Sequence, residues 1–189
     1  MRGRSASRQE CEVKIEVPRR AALVSRLRAL GAQDHGDHLE RNRLFDTRDG
    51  ALQARGCMLR LREYQGALLT YKGPVTSTGP MKRREEIECG VDSAADAARL
   101  LTSLGYVQTW AYEKRRHSWA YRECQVALDL VPELGSFIEV EGDSEAQINE
   151  VLRDLELDGE AAVTESYHGL HVKHRTARGQ PVGDMRFAR

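Results

Sequence analysis

Residues 9–18 read QECEVKIEVP. Taken at every second position, Glu10, Glu12, Lys14 and Glu16 fall on one side, and Cys11, Val13, Ile15 and Val17 on the other. A strand sends successive side chains to opposite faces, so this segment is a strand with one ionic face and one apolar face. Which face turns inward decides the fold.

The same pattern returns along the chain. Arg60 and Arg62 alternate with Leu59 and Leu61, and Lys72 ends LLTYK. Arg84, Glu86 and Glu88 alternate with Ile87 and Cys89, and Lys114 and Arg116 lie in YEKRRHSW. Asp129 sits between Leu128 and Leu130, while Glu139 and Glu141 alternate with Ile138 and Val140. An antiparallel sheet that leaves its polar face in water accounts for any one of these strands. Taken together, the polar sides are almost purely Glu, Arg and Lys. If the sheet closes, the apolar faces pack outward on helices and the charges line the bore. Unpaired charges there would be very costly unless the bore is wet and its two signs meet a ligand of matching charge. Grouped carboxylates suit magnesium or manganese, and grouped guanidinium and ammonium groups suit phosphate oxygens. A polyphosphate chelating a metal satisfies both.

The chain has 189 residues, with 29 Lys plus Arg against 29 Asp plus Glu. Zero net charge supplies no long-range field to attract nucleic acid or membrane. No apolar run approaches the ~18 residues of a membrane span, and no apolar run follows the basic start as in a signal peptide. Cys11, Cys57, Cys89 and Cys124 form no C-x-x-C pair. The expectation is a cytoplasmic protein with reduced thiols and without a zinc or redox motif. It is a monomer or homodimer with no nucleic-acid or membrane partner.

The order of elements reads as α+β with a mainly antiparallel sheet, because most strand joints are short. After the strand at 10–17, Pro18 opens a helix that Gly31 stops. Strands follow near 38–47, 57–63 and 67–74, with a loop over 75–80. RREEIECGV then restarts the pattern and DSAADAARLLTSLG is a helix. Each half reads strand, helix, Leu-Gly, strand, which predicts an internal duplication. Strands near 108–121, 124–131 and 136–142 precede a helix over 143–159 and a last one over 164–174. Residues 1–9 and 176–189 read as loose ends around a single domain at 10–175.

On these motifs the chain resembles the CYTH superfamily, the triphosphate tunnel metalloenzymes. Glu10-Cys11-Glu12-Val13-Lys14 fits the E-x-E-x-K signature. The likeness continues in order through LRLRE, LTYKGP, RREEIE, EKRR, ALDLVPELGSFIEVEG and SYHGL. YKGP and LDLVPELGSFIEVEG look most like the class IV adenylyl cyclase-like branch. The resemblance implies an eight-stranded antiparallel β-barrel, a tunnel with a charged interior and helices outside. It implies metal ligands at Glu10, Glu12, Asp129, Glu139 and Glu141. It implies triphosphate binding by Lys14, Arg60, Arg62, Lys72, Arg84, Lys114 and Arg116, and catalytic roles for Lys14, Glu86 and Glu88. Arg83, Arg115 and Glu85 leave these assignments open by one position.

The implied function is a Mg2+- or Mn2+-dependent enzyme on a small triphosphate, ATP or tripolyphosphate. Attack by a ribose hydroxyl gives cyclic AMP and pyrophosphate; attack by water gives hydrolysis. Inorganic, nucleoside and thiamine triphosphatases are the alternatives, with a non-catalytic polyphosphate- or nucleotide-binding module behind them. Several other residues read as structural. His168, His171 and His174 form a solvated helix face, His35 and His38 a loop, and Asp46 a turn start. Trp110 and Trp119 read as packing, although either could stack on a ring.

Overall fold

The computed structural model describes residues 7–188. In chain order the elements are β1 (Ser7–Glu16), α1 (Arg20–Ala29), β2 (Gln33–Asp46), α2 (Ala51–Ala54), β3 (Met58–Glu63), β4 (Ala67–Lys72) and β5 (Lys82–Val91). They continue with α3 (Ala94–Ser103), β6 (Val107–Tyr121), β7 (Cys124–Val131), β8 (Gly135–Gly142), α4 (Glu145–Asp154) and α5 (Tyr167–Ala177). Eight strands close into a barrel in the order β1-β5-β4-β3-β2-β6-β7-β8, and every neighbouring pair is antiparallel. Closure removes every sheet edge and answers the opening question: the ionic face of β1 looks inward.

The predicted repeat is visible in the connections. The strands that open each half, β1 and β5, pair with each other, and so do the second strands, β2 and β6. The hairpins β3–β4 and β7–β8 complete the ring on either side.

The core lies outside the barrel, between sheet and helices. Cys11, Val13, Ile15 and Val17 of the first strand pack with Val126, Leu128, Ile138 and Val140 under Leu23 and Leu27 of α1 and Ile148, Val151 and Leu152 of α4. Gly142 permits this approach: a Cβ there would stand 2.8 Å from Cys124 Sγ. A second cluster seats Ala97 and Leu101 of α3 on Phe45, Leu59 and Leu61. The helices begin where Ser93, Ser144 and Ser166 accept backbone N–H bonds from Asp96, Gln147 and Gly169. Among the described residues no helix is long and apolar enough to cross a membrane.

Four local expectations change. First, β2 starts at Gln33, with a bulge between Asp34 and Asp37, so His35 and His38 belong to a strand rather than a loop. Second, Asp46 builds a short helix not foreseen, accepting from Thr47, Leu52 and Gln53 N–H groups. Third, residues 7–9, expected loose, pair with Glu85, Glu86 and Ile87; residues 1–6 of that expectation lie outside the described residues.

Fourth, the C-terminal segment is docked rather than loose. Met185 is fully buried, bridges Tyr112 in parallel, and exchanges backbone bonds with Ala111 and Glu113. Its pocket is the third cluster, Trp110, Tyr112, Val131, Phe137 and Tyr167. This end of the barrel has apolar walls, and Met185 with α5 covers them. His171 is accordingly fully buried, bonded to Gly183 O, and α5 does not present the expected solvated histidine face.

Candidate active site

Inside the barrel runs a cavity of about 600 Å³. Its wall carries eight cationic side chains and six carboxylates, so unlike charges nearly balance and leave a cationic excess. The period-two alternation places them: each sits on a strand whose opposite face turns outward, onto the outer core or, along β5, to solvent. Lining the cavity are Glu10, Glu12, Lys14, Arg60, Arg62, Lys72, Arg84, Glu86, Glu88, Lys114, Arg116, Glu139 and Glu141. The one-position ambiguities resolve with the pleat. Arg84 lines the cavity while Arg83 reaches Glu145 of α4, and Arg116 lines it while Arg115 lies over the Phe187 ring. Glu85 is not in the cavity wall; its backbone carbonyl accepts from Gly73 N.

The charges are held in pairs. Lys72 Nζ is 3.0 Å from both Glu10 oxygens and 3.0 Å from Glu86. Arg84 joins Glu10 at 3.4 Å to Glu12 at 3.1 Å. Arg116 bonds Glu139, and Thr70 donates to Glu88 at 3.1 Å. Burial pushes the Glu139 carboxyl up, but Lys114, Arg116 and Lys14 outweigh it and hold the group well below the usual range. Arg60 moves up, because Tyr112 and Glu40 more than offset its burial.

Burial lowers the pKa of three cations of the wall, Lys14, Arg62 and Lys82, and that of Lys14 most usefully for chemistry. Burial pushes its pKa down to about 8, although Glu139 pulls the other way. Its Nζ stands 4.5 Å over the Tyr167 ring and donates to Glu165 O.

Asp129, expected among the metal ligands, has a different place. It is fully buried and accepts from Lys114 at 2.9 Å, from Arg116 twice at 2.7 Å, and from Tyr167 at 2.9 Å. A carboxylate has roughly four acceptor positions, so these donors fill it. Here its carboxylate braces two cations of the wall.

The remaining acids fit a hard divalent cation in a particular way. Glu12 and Glu141 are direct cross-strand partners, a like-charge pair that Arg84 and Lys82 offset from the Glu12 side and that a divalent cation would also suit. Among the described residues no three carboxylate, histidine or cysteine side chains converge into a ready-made cage. Magnesium commonly takes only one or two carboxylates and completes its shell with water and phosphate oxygens.

Two charged residues of this interior were not foreseen. Lys82 lines the cavity 3.8 Å from Glu12, and burial pulls its pKa down. Its signal was the same two-residue step, two residues before Arg84. Glu40 is 1% exposed, within 3.5 Å of Arg62 and 3.6 Å of Lys114. Burial pushes its carboxyl up, yet Lys114 and Arg116 win and hold it far below the ordinary value. Beside it Asn42 is buried with neither amide atom bonded to protein. His38, stacked on Tyr64 at 3.5 Å, bonds Glu40 at 3.3 Å.

Known proteins resemble this chain in sequence or in fold. A protein of Methanocaldococcus jannaschii, named as a candidate adenylate cyclase, is 28% identical over 148 residues, spanning 78% of this chain and 83% of its own. A candidate adenylate cyclase of Vibrio parahaemolyticus superposes with a TM-score of 0.76 at 20% identity, covering 87% of this chain and 98% of the other. A Hippeastrum protein, described as a candidate adenylyl cyclase with a dominant triphosphatase activity, superposes with a TM-score of 0.66 at 20% identity, covering 92% and 97%. The CYTH domain profile matches residues 8–167, from the first strand of the barrel to the first residue of α5, and the chain belongs to the CYTH domain family.

Proposed function

We propose that the protein is a divalent-metal-dependent enzyme that processes a small triphosphate inside the tunnel, forming cyclic AMP and pyrophosphate from ATP. The observation that carries this reading is the sorting of the wall. Carboxylates from β1 and β8 meet across one strand pair, while Arg60, Arg62, Lys72, Arg84, Lys114 and Arg116 surround them.

In the free protein these charges neutralise one another. On binding, Lys72, Arg84 and Arg116 would turn from Glu10, Glu12 and Glu139 to phosphate oxygens, leaving those carboxylates able to hold a metal. Most of the wall charges keep an opposite partner in either state, which lowers the cost of such a dense ionic interior. Glu12, Glu139 and Glu141, with Glu10 near them, would hold Mg2+ or Mn2+. The metal would supply charge neutralisation on the phosphates and activation of the attacking oxygen.

For cyclisation the ribose 3′-oxygen bonds to the α-phosphorus, the bond from that phosphorus to the bridging oxygen breaks, and pyrophosphate leaves. The cationic wall stabilises the charge that develops on the leaving group. Lys14, with its pKa near neutrality, is the wall group suited to holding or passing the hydroxyl proton. Glu86 and Glu88 of β5 add acceptors to the same cavity.

Hydrolysis of a triphosphate by water is the second reading. It uses the same constellation, and the triphosphatase activity described for the Hippeastrum protein favours keeping it.

The test is product analysis with ATP and with tripolyphosphate, in Mg2+ and in Mn2+. Cyclic AMP with pyrophosphate supports the first reading, and orthophosphate the second. Glu139→Gln should abolish metal-dependent turnover with an unchanged circular dichroism spectrum; full turnover in that variant would overturn both.

A further inference from the structure

Glu40 has no part in the chemistry above. It lies on the inward face of β2, directly across from Lys114 of β6, yet it does not line the cavity. Its side chain is 1% exposed. One carboxylate oxygen stands 3.5 Å from Arg62 and 3.3 Å from the His38 ring, and the other stands 3.6 Å from Lys114. That second oxygen accepts no hydrogen bond from the protein.

The balance of charge gives this acid a purpose. Among the described residues the wall carries eight cations and six carboxylates, and the two acids buried behind it, Glu40 and Asp129, make up the difference. They do so in different ways. Asp129 is bonded by its cations at 2.7 to 2.9 Å and fixes their geometry. Glu40 stands farther from Arg62 and Lys114, and Lys114 keeps Asp129 as its bonded partner. What Glu40 contributes is therefore chiefly charge. Its field favours the protonated form of Arg60, Arg62, Lys114 and Arg116, the four cations that β3 and β6 place in the wall.

Glu10, Glu12 and Glu139 line the cavity beside their cations and can release them to phosphate. Glu40 lies behind the wall, so its negative charge stays where it is when phosphate arrives. An anion held by these cations then meets a fixed charge of its own sign. Like charges within about 10 Å in a protein interior interact strongly enough to change an equilibrium about tenfold. We infer that Glu40 is a positioning residue acting through Arg62 and Lys114, a fixed counter-charge that weakens the wall's grip on phosphate and lets a polyphosphate product leave. This rests on the triphosphate reading above and adds a control on how tightly that site holds its product.

The experiment is calorimetric titration of the full chain with pyrophosphate and with orthophosphate in Mg2+, for the unaltered protein, Glu40→Gln and Glu40→Asp. Glu40→Gln keeps the shape and removes the charge, so pyrophosphate should bind about tenfold more tightly. Orthophosphate, with less charge, should gain less. Glu40→Asp keeps the charge and should bind both ligands as the unaltered protein does. A role in packing alone predicts the reverse, because glutamine fills the site and aspartate does not. An affinity unchanged or lowered in Glu40→Gln, or raised equally in Glu40→Asp, would overturn the counter-charge while leaving the triphosphate reading intact. Thermal melting gives a second readout. Pyrophosphate supplies the missing negative charge, so it should raise the melting temperature of Glu40→Gln more than that of the unaltered protein. A variant that stays unfolded in pyrophosphate would reduce Glu40 to a structural role and overturn the inference. Failure of the unaltered protein to bind pyrophosphate would overturn both.

Discussion

Arg116 grips Asp129 with two nitrogens, Nε to Oδ1 and Nη2 to Oδ2, both at 2.7 Å. Lys114 and Tyr167 complete the same carboxylate, so one buried acid fixes two cations of the wall and the first residue of α5. Asp129→Asn should therefore cost about 3–5 kcal/mol, the range for removing one partner of a buried ion pair. Urea denaturation measures it. A loss within ~0.5 kcal/mol, the scatter of ordinary surface substitutions, would show that the brace is not structural.

Glu40→Gln tests the interior acid that has no role in the E-x-E signature. Its folded pKa is depressed, so its stabilisation is fully present above the unfolded value of ~4.3 and fades as pH falls below it. The variant should be less stable than the unaltered protein at pH 7, again by about 3 kcal/mol. The gap should narrow on moving to about pH 3.5, below the unfolded pKa. Urea titrations at both pH values give the two differences; a gap that widens in acid would reverse the sign of the argument.

Lys14 predicts an effect on the alkaline side. Its folded pKa is about 8, against an unfolded value of ~10.4. Below pH 8 the lysine is charged in both states, and the fold bears the cost of burying that charge. Between the two values the folded state gives up its proton first, so this residue's contribution to stability rises with pH. Binding runs the opposite way, because a neutral Lys14 no longer attracts phosphate. Affinity for tripolyphosphate should fall as pH rises through about 8. Lys14→Arg should move that fall to higher pH, since arginine keeps its charge. A titration series over this range checks both, and an unchanged profile in the variant would exclude Lys14 as the titrating group.

Met185→Ala addresses the docked C-terminus. The side chain is fully buried among Trp110, Tyr112, Val131, Phe137 and Tyr167. Removing it should cost about 2–5 kcal/mol, the range for truncating a buried methionine. Trp110 emission should shift to the red as solvent reaches its pocket. Unchanged stability together with unchanged emission would mean that the segment does not hold this end of the barrel.

The legible part of the protein was the part written in a local period. Glu10, Glu12, Arg60, Arg62, Arg84, Glu86, Glu139 and Glu141 announce an ionic strand face two residues at a time, and all of them line the cavity. Glu40 carries the same step, but its neighbours on that face, His38, Asn42 and Leu44, dilute the charge pattern. Asp129 was legible as inward, but its three partner residues were not, because they come from β6 and α5, which no local pattern links to β7. Met185 gave no signal, since a single bridge to Tyr112 across the fold has no period to show.

The sequence by itself determined the two faces of each strand, the amphipathic helices and the doubled strand–helix–strand order, because side-chain alternation is a property of the local backbone. Only the tertiary structure decided which strand neighbours which. That choice closes the barrel, sets Glu12 against Glu141, gives Asp129 to Arg116 and puts Leu44 beside Trp110. These are contacts between segments far apart in the chain, fixed by register and closure of the whole sheet, and no short stretch of residues encodes them.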